Sequence, residues 1–165
     1  MELVITEIKD LTEKEKSDID KFIMNQNTNG EFINSLNYLS YHGKRFKDDS
    51  IVVRDRGSHI VKGVFLAAID TEDSTAIISH PGTTFAGLIY NIRDSYQMVS
   101  HVVEMILGYY ETRYRYFNIR TTPSFYSKQA TGLLDYILIR SVYNYGITAL
   151  ANMIRIENIE SEVQL

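Results

Sequence analysis

Ile77-Ile78-Ser79-His80-Pro81-Gly82-Thr83-Thr84-Phe85-Ala86-Gly87-Leu88-Ile89-Tyr90 sets an imidazole, two threonine hydroxyls and two glycines between two apolar runs. The runs read as strands, and Pro-Gly is a turn signal. A turn at a strand end, flanked by side chains that hydrogen-bond, is a common ligand position in open α/β sheets. The residues on either side must therefore tell whether this bend serves folding, recognition or chemistry.

Upstream of the bend, Leu3–Ile8 alternates as a short strand. Thr12 and Glu15 have the spacing of a capping box, opening a helix buried through Ile19, Phe22 and Ile23. The run Asn25–Gly30 breaks that helix, and a second helix is predicted with Phe32, Leu36 and Leu39 on one face. Ile51–Val53 and Ile60–Ile69 read as a hairpin about Arg56-Gly57-Ser58. Ser74–Ser79 is the next strand after an acidic turn, Asp70–Asp73, and Ala86–Tyr90 continues the sheet.

Downstream, Asp94 or Ser95 opens the clearest helix, with Val99, Val102, Val103, Ile106, Leu107 and Tyr110 at three-four spacing. Tyr114–Thr121 reads as a strand. Ser127 caps a last helix carrying Leu133, Leu134, Ile137, Leu138 and Val142; Gly146 ends it, and a final strand spans Ile147–Ile156. Residues 1–156 form one predicted domain and 157–165 a polar, frayed tail. Antiparallel strands followed by helical crossovers make an α/β fold: a mixed, largely antiparallel sheet with helices on both faces.

Composition narrows the function classes. The 165 residues suffice for a core without staples, and no cysteine is present, which removes disulfides, thiolate metal sites and cysteine nucleophiles. A net charge of −4 argues against a nucleic-acid partner. No apolar run approaches a membrane span, and Met1–Glu7 lacks the basic and apolar regions of a signal peptide, so a cytoplasmic location is expected. Twelve tyrosines point to half-buried surfaces with a wet edge. P-loop, His-Glu-x-x-His and Gly-x-Ser-x-Gly patterns are missing, and His42, His59, His80 and His101 show no metal-ligand spacing.

Phe32–His42, Arg45–Ser50, Ser79–Leu88 and Thr122-Pro123-Ser124-Phe125-Tyr126 together resemble the N-terminal half of FemAB-like, GNAT-type acyltransferases. The resemblance covers about Glu31–Gly146. It implies a GNAT-like sheet and an N-acyltransferase or aminoacyltransferase acting on a sugar-nucleotide or cell-envelope polysaccharide precursor. Its partners would be a small-molecule sugar or peptide acceptor and, as family members usually carry two such halves, a second copy forming a homodimer. The alternative is a non-catalytic acceptor-binding or dimerisation module. Acyl-CoA is the donor the resemblance implies, yet no cofactor is fixed. Tyr90–Tyr96, where the family's glycine-rich pyrophosphate loop would stand, has no glycine and places Asp94 at the helix start.

Each candidate residue has a functional and a structural reading. His80 is either a catalytic base or a group satisfying backbone in a tight turn. Gly82 and Gly87 permit positive φ or close approach, with ligand binding as the second reading. Thr83 and Thr84 bond a substrate or follow strand propensity. Tyr41, His42 and Arg45, beside Tyr38 and Phe46, either stack on a sugar and grip an anion or serve as core and rim, with Arg45 paired to Asp48 or Asp49. Arg120 and Tyr126 line a cleft at a strand end or pack structurally. The aromatic and basic run Tyr109–Phe117 is read as core and rim packing rather than a nucleic-acid surface.

Overall fold

Alternating and continuous apolar runs become strands, and the capped amphipathic runs become helices, in a computed structural model that describes residues 1–123 and 132–140. In chain order the elements are β1 (Leu3–Glu7), α1 (Glu13–Ile23), α2 (Leu36–Ser40), β2 (Lys47–Asp48), β3 (Ile51–Asp55), β4 (Val61–Phe65) and β5 (Ala67–Ile69). There follow β6 (Ala76–Ser79), β7 (Leu88–Tyr90), α3 (Tyr96–Glu111), β8 (Tyr116–Asn118) and α4 (Leu133–Arg140). The described residues are thus mixed α/β, with four α-helices and two four-stranded sheets ordered β1-β3-β4-β7 and β2-β5-β6-β8. Every pairing is antiparallel except β6 with β8.

The two sheets meet along one hairpin. Asp48 opposes Ala68 and Ile51 opposes Phe65 in a single register, so β2–β3 and β4–β5 are successive halves of the same two arms. At the join, Ser50 Oγ accepts from Ala67 N–H at 3.0 Å. On the other side of β4–β5 the partner strand is interrupted. Ser79 opposes Ala67 and Leu88 opposes Phe65, leaving residues 80–87 to leave the sheet opposite Leu66 alone. Leu66 holds both ends of that excursion: its N–H donates to Gly87 O at 3.2 Å and its carbonyl accepts from His80 N–H at 3.0 Å. Gly87, at φ 115°, makes the return turn in a conformation costly to other residues.

Side-chain alternation separates two apolar layers. Ile51, Val53, Phe65, Leu88 and Tyr90 pack with α3 and with Leu134 and Ile137 of α4. Val52, Val64, Leu66 and Ile89 pack with Ile19 and Ile23 of α1 and Leu39 of α2. All six apolar positions assigned to the α3 stripe are buried, and Ser95 is its N-cap. Thr12 and Glu15 make the reciprocal capping box of α1.

Two segments differ from the sequence reading. Residues 32–39 do not form one helix; a 3-10 turn at Phe32–Asn34 precedes the short α2, and Phe32 is exposed. Side chains divide it. Asn34 accepts from Glu31 N–H and donates to Phe85 O, while Ser35 starts α2 by accepting from Tyr38 N–H. The strand read at Tyr114–Thr121 shortens to Tyr116–Asn118 and lies parallel to β6. The predicted cap Ser127, Val142, Gly146, the strand at 147–156 and the tail at 157–165 lie outside the described residues.

Candidate functional site

Residues 80–87 leave the sheet beside the C-terminal end of α2, and two imidazoles grip the bend there. Gly82 N–H donates to His80 Nδ1 at 3.1 Å. Gly82 O accepts from His42 Nε2 at 2.9 Å. An N–H only donates and a carbonyl only accepts, so these partners fix the protons. His80 carries its proton on Nε2, and His42 carries one on Nε2. A Cβ on Gly82 would stand 2.5 Å from His42 Cδ2 and 3.0 Å from His80 Nδ1, so the two rings leave room only for glycine. The requirement at Gly82 is close approach.

His80 is 4% exposed and His42 half-buried, with ring centroids 6.5 Å apart. Phe46 meets both rings, edge-on to His80 at 5.5 Å and tilted to His42 at 5.6 Å. Asp48 Oδ1 lies 3.9 Å from His80 Nε2, too long for a hydrogen bond but close enough for charge to act. The same oxygen accepts from Ser50 Oγ at 2.6 Å. Burial, with lesser electrostatic contributions from His42 and Arg120, depresses the His80 pKa to about 4. Burial raises the Asp48 pKa, against the opposing bonds from Ser50. At neutral pH His80 is therefore a neutral imidazole, facing an Asp48 side chain that is 40% exposed.

These groups wall a recess of about 680 Å3. His42, Phe46, Asp48 and His80 form one side, and α1 with the start of α2 form the other through Glu13, Lys16, Ser17, Asp20, Leu36 and Asn37. Asp20 braces that second side by accepting from the N–H groups of Leu36 at 2.6 Å and Asn37 at 3.1 Å. The recess is mixed in character, aromatic at Phe46 and polar around it.

The structure brings together only some of the sequence candidates. His42, Gly82 and His80 are in contact, from segments 40 residues apart. Arg120 stands behind the bend. Its guanidinium donates to Ser79 O at 3.1 Å and His80 O at 3.4 Å, and its backbone N–H donates to Ser79 Oγ. The buried Thr83 hydroxyl donates within the loop, to Phe85 O at 2.8 Å. Thr84 is exposed. Tyr41 is 90% exposed and Arg45 lies over the Phe46 ring at 5.3 Å; neither lines the recess. Tyr126 lies outside the described residues.

The sequence does not single out Asp48 as a site residue, and it names Phe46 only as a member of the cluster around Tyr41, His42 and Arg45. Asp48 was offered to Arg45, but the fold gives it to Ser50 and His80; Asp49 instead accepts from Tyr114 OH at 2.9 Å. The available signal was the proximity of the Arg45–Ser50 segment to His42 in sequence. Compared with family models, with curated proteins and with solved structures, the chain gives no match.

Proposed function

We propose that this chain is a FemAB-like domain of GNAT type whose recess binds the amine-bearing acceptor of an N-acyl or aminoacyl transfer. In that reaction the acceptor nitrogen attacks the carbonyl carbon of an acyl thioester or ester. The C–N bond forms, the bond to sulfur or oxygen breaks, and the proton lost by the nitrogen ends on the departing thiol or alcohol. The protein's contribution is position and a polar setting for charge. An amino sugar linked to a nucleotide or envelope precursor fits a recess lined by the Phe46 side chain beside polar groups at His42, Asp48 and His80.

One observation carries the reading: His42 and His80, from two separate stretches of the family resemblance, close on the Gly82 backbone at the edge of the same recess. His80 serves there through its Nε2–H, since Nδ1 is engaged by Gly82. A narrower reading, an acceptor-binding module without its own donor site, is favoured by the start of α3. Ser95 caps Met98 N–H there, and Asp94 faces Lys62 at 4.0 Å, a poor place for a pyrophosphate. A second copy of the chain is the partner that would then complete the cleft.

Radiolabelled acetyl-CoA and glucosamine separate these outcomes. Acetylglucosamine formed by the pure protein, and lost in His80→Ala, supports the enzyme. Calorimetric binding of glucosamine with no heat from acetyl-CoA and no product supports the module. Absence of binding by either probe contradicts both.

A further inference from the structure

Among the charged groups around the recess, Asp48 stands apart. Lys16 is held by Glu13 at 2.9 Å, Lys9 by Glu7, and Asp20 by two backbone N–H groups at the start of α2. Asp48 accepts from the Ser50 hydroxyl at 2.6 Å and from the Ser50 backbone, and the His80 Nε2–H lies 3.9 Å away, beyond hydrogen-bond reach. His80 cannot become its counter-ion cheaply, because Nδ1 is occupied by Gly82 N–H and the ring is buried. The fold thus sets a carboxylate, its side chain 40% exposed, in the recess wall beside a neutral imidazole, with Lys9 near it but bonded to Glu7. The remaining ionisable neighbours are His42 across the bend, Lys9 after β1, and Asp49, which turns to Tyr114 and Arg113.

We propose that Asp48 is a cation anchor that receives a primary ammonium group of the ligand in this recess, with His80 as the positioning residue behind it. A carboxylate with open lone pairs takes N–H donors from an ammonium, and the bond is stronger where water is scarce. Ser50 engages Oδ1, which orients the group within β2, and the recess has ample volume for the body of the ligand. Partial burial raises the Asp48 pKa, and a bound ammonium would oppose that shift. The inference rests on the acceptor reading above and assigns that acceptor its recognition chemistry: a primary amine that docks as its ammonium and becomes a nucleophile only after losing one proton.

The test is a carboxyl-carbon NMR titration of the full chain, carbon-labelled at aspartate, with saturating ethanolamine. The Asp48 midpoint falls by about one unit, the usual effect of an opposite charge within a few ångströms. Tetramethylammonium at the same concentration has the charge without N–H donors and leaves the midpoint in place. No fall with ethanolamine, or an equal fall with both cations, overturns the proposal. Asp48→Asn supplies a second readout: the His80 Nε2 signal responds to ethanolamine in the parent chain and ceases to respond in the variant. A response that survives the substitution also overturns the anchor. Acyl transfer is absent from these measurements. An anchor without acetyl transfer therefore refutes the enzyme alone, and transfer without an anchor refutes this inference alone.

Discussion

At Gly82 a single missing Cβ decides whether two imidazoles can share one stretch of backbone. Gly82→Ala would drive a methyl to 2.5 Å from the His42 ring, so the ring or the bend must move. The expected loss is about 1–3 kcal/mol, the usual cost of overpacking a filled site, read from the denaturant midpoint. A variant as stable as the parent contradicts the packing described. His80 sets a pH dependence. Its folded pKa of about 4 lies below the ordinary 6.5, so the folded chain binds fewer protons than the unfolded chain between those values. The stabilisation is complete above pH 6.5 and is lost as pH falls towards 4, amounting in full to on the order of 3 kcal/mol. The raised Asp48 works in the opposite sense, while Glu7 and Glu15, lowered to about 2, act between 4.5 and 2. Stability measured between pH 5 and 6.5 is accordingly the window that separates the His80 imidazole from Glu7 and Glu15. His80→Gln flattens it, and an unchanged slope would contradict the assignment.

Among the elements, α3 was the most legible because its burial and its capping agree. The three-four stripe and Ser95 both follow from the sequence, and each apolar position reaches the core. Ile106→Ala is expected to cost about 2–5 kcal/mol, and a loss under 1 would contradict its 2% exposure. The second helix was misread for a reason the sequence hides. Phe32, Leu36 and Leu39 have helical spacing, but Asn34 is buried and bonded to Phe85, a partner 51 residues away. The Asn25–Gly30 break was legible as a break, though not as a clamp. Asn29 donates to Leu88 O at 2.9 Å and accepts from Tyr90 N–H at 2.8 Å, holding the edge of β7. Asn29→Ala leaves two buried backbone groups unpaired, for about 1–3 kcal/mol each, with amide exchange at Tyr90 accelerated. Unaltered exchange there would contradict the clamp.

For the whole molecule, the α/β class and the mostly antiparallel pairing were visible in the order of apolar runs, whereas the division into two sheets was not. That division turns on Leu66, an unremarkable residue in the middle of an apolar run, and on register that only pairing partners define. The site was half legible for the same reason. His80, His42 and Gly82 belong to recognisable stretches, but Asp48 enters only because β2 pairs beside β5 and carries it towards the bend. Among the described residues no helix is long and apolar enough to cross a membrane. A cleft completed by a second copy predicts a dimer by light scattering at high concentration. A strictly monomeric particle contradicts that partner.

The bend at Gly82 borders the recess proposed to take the acceptor. The most direct measurement of that role uses the four histidines as reporters, in an imidazole-nitrogen NMR titration with glucosamine. The account predicts saturable shifts at His42 and His80, with exposed His59 and His101 unmoved. Shifts confined to His59 or His101, or none at any of the four, would contradict it.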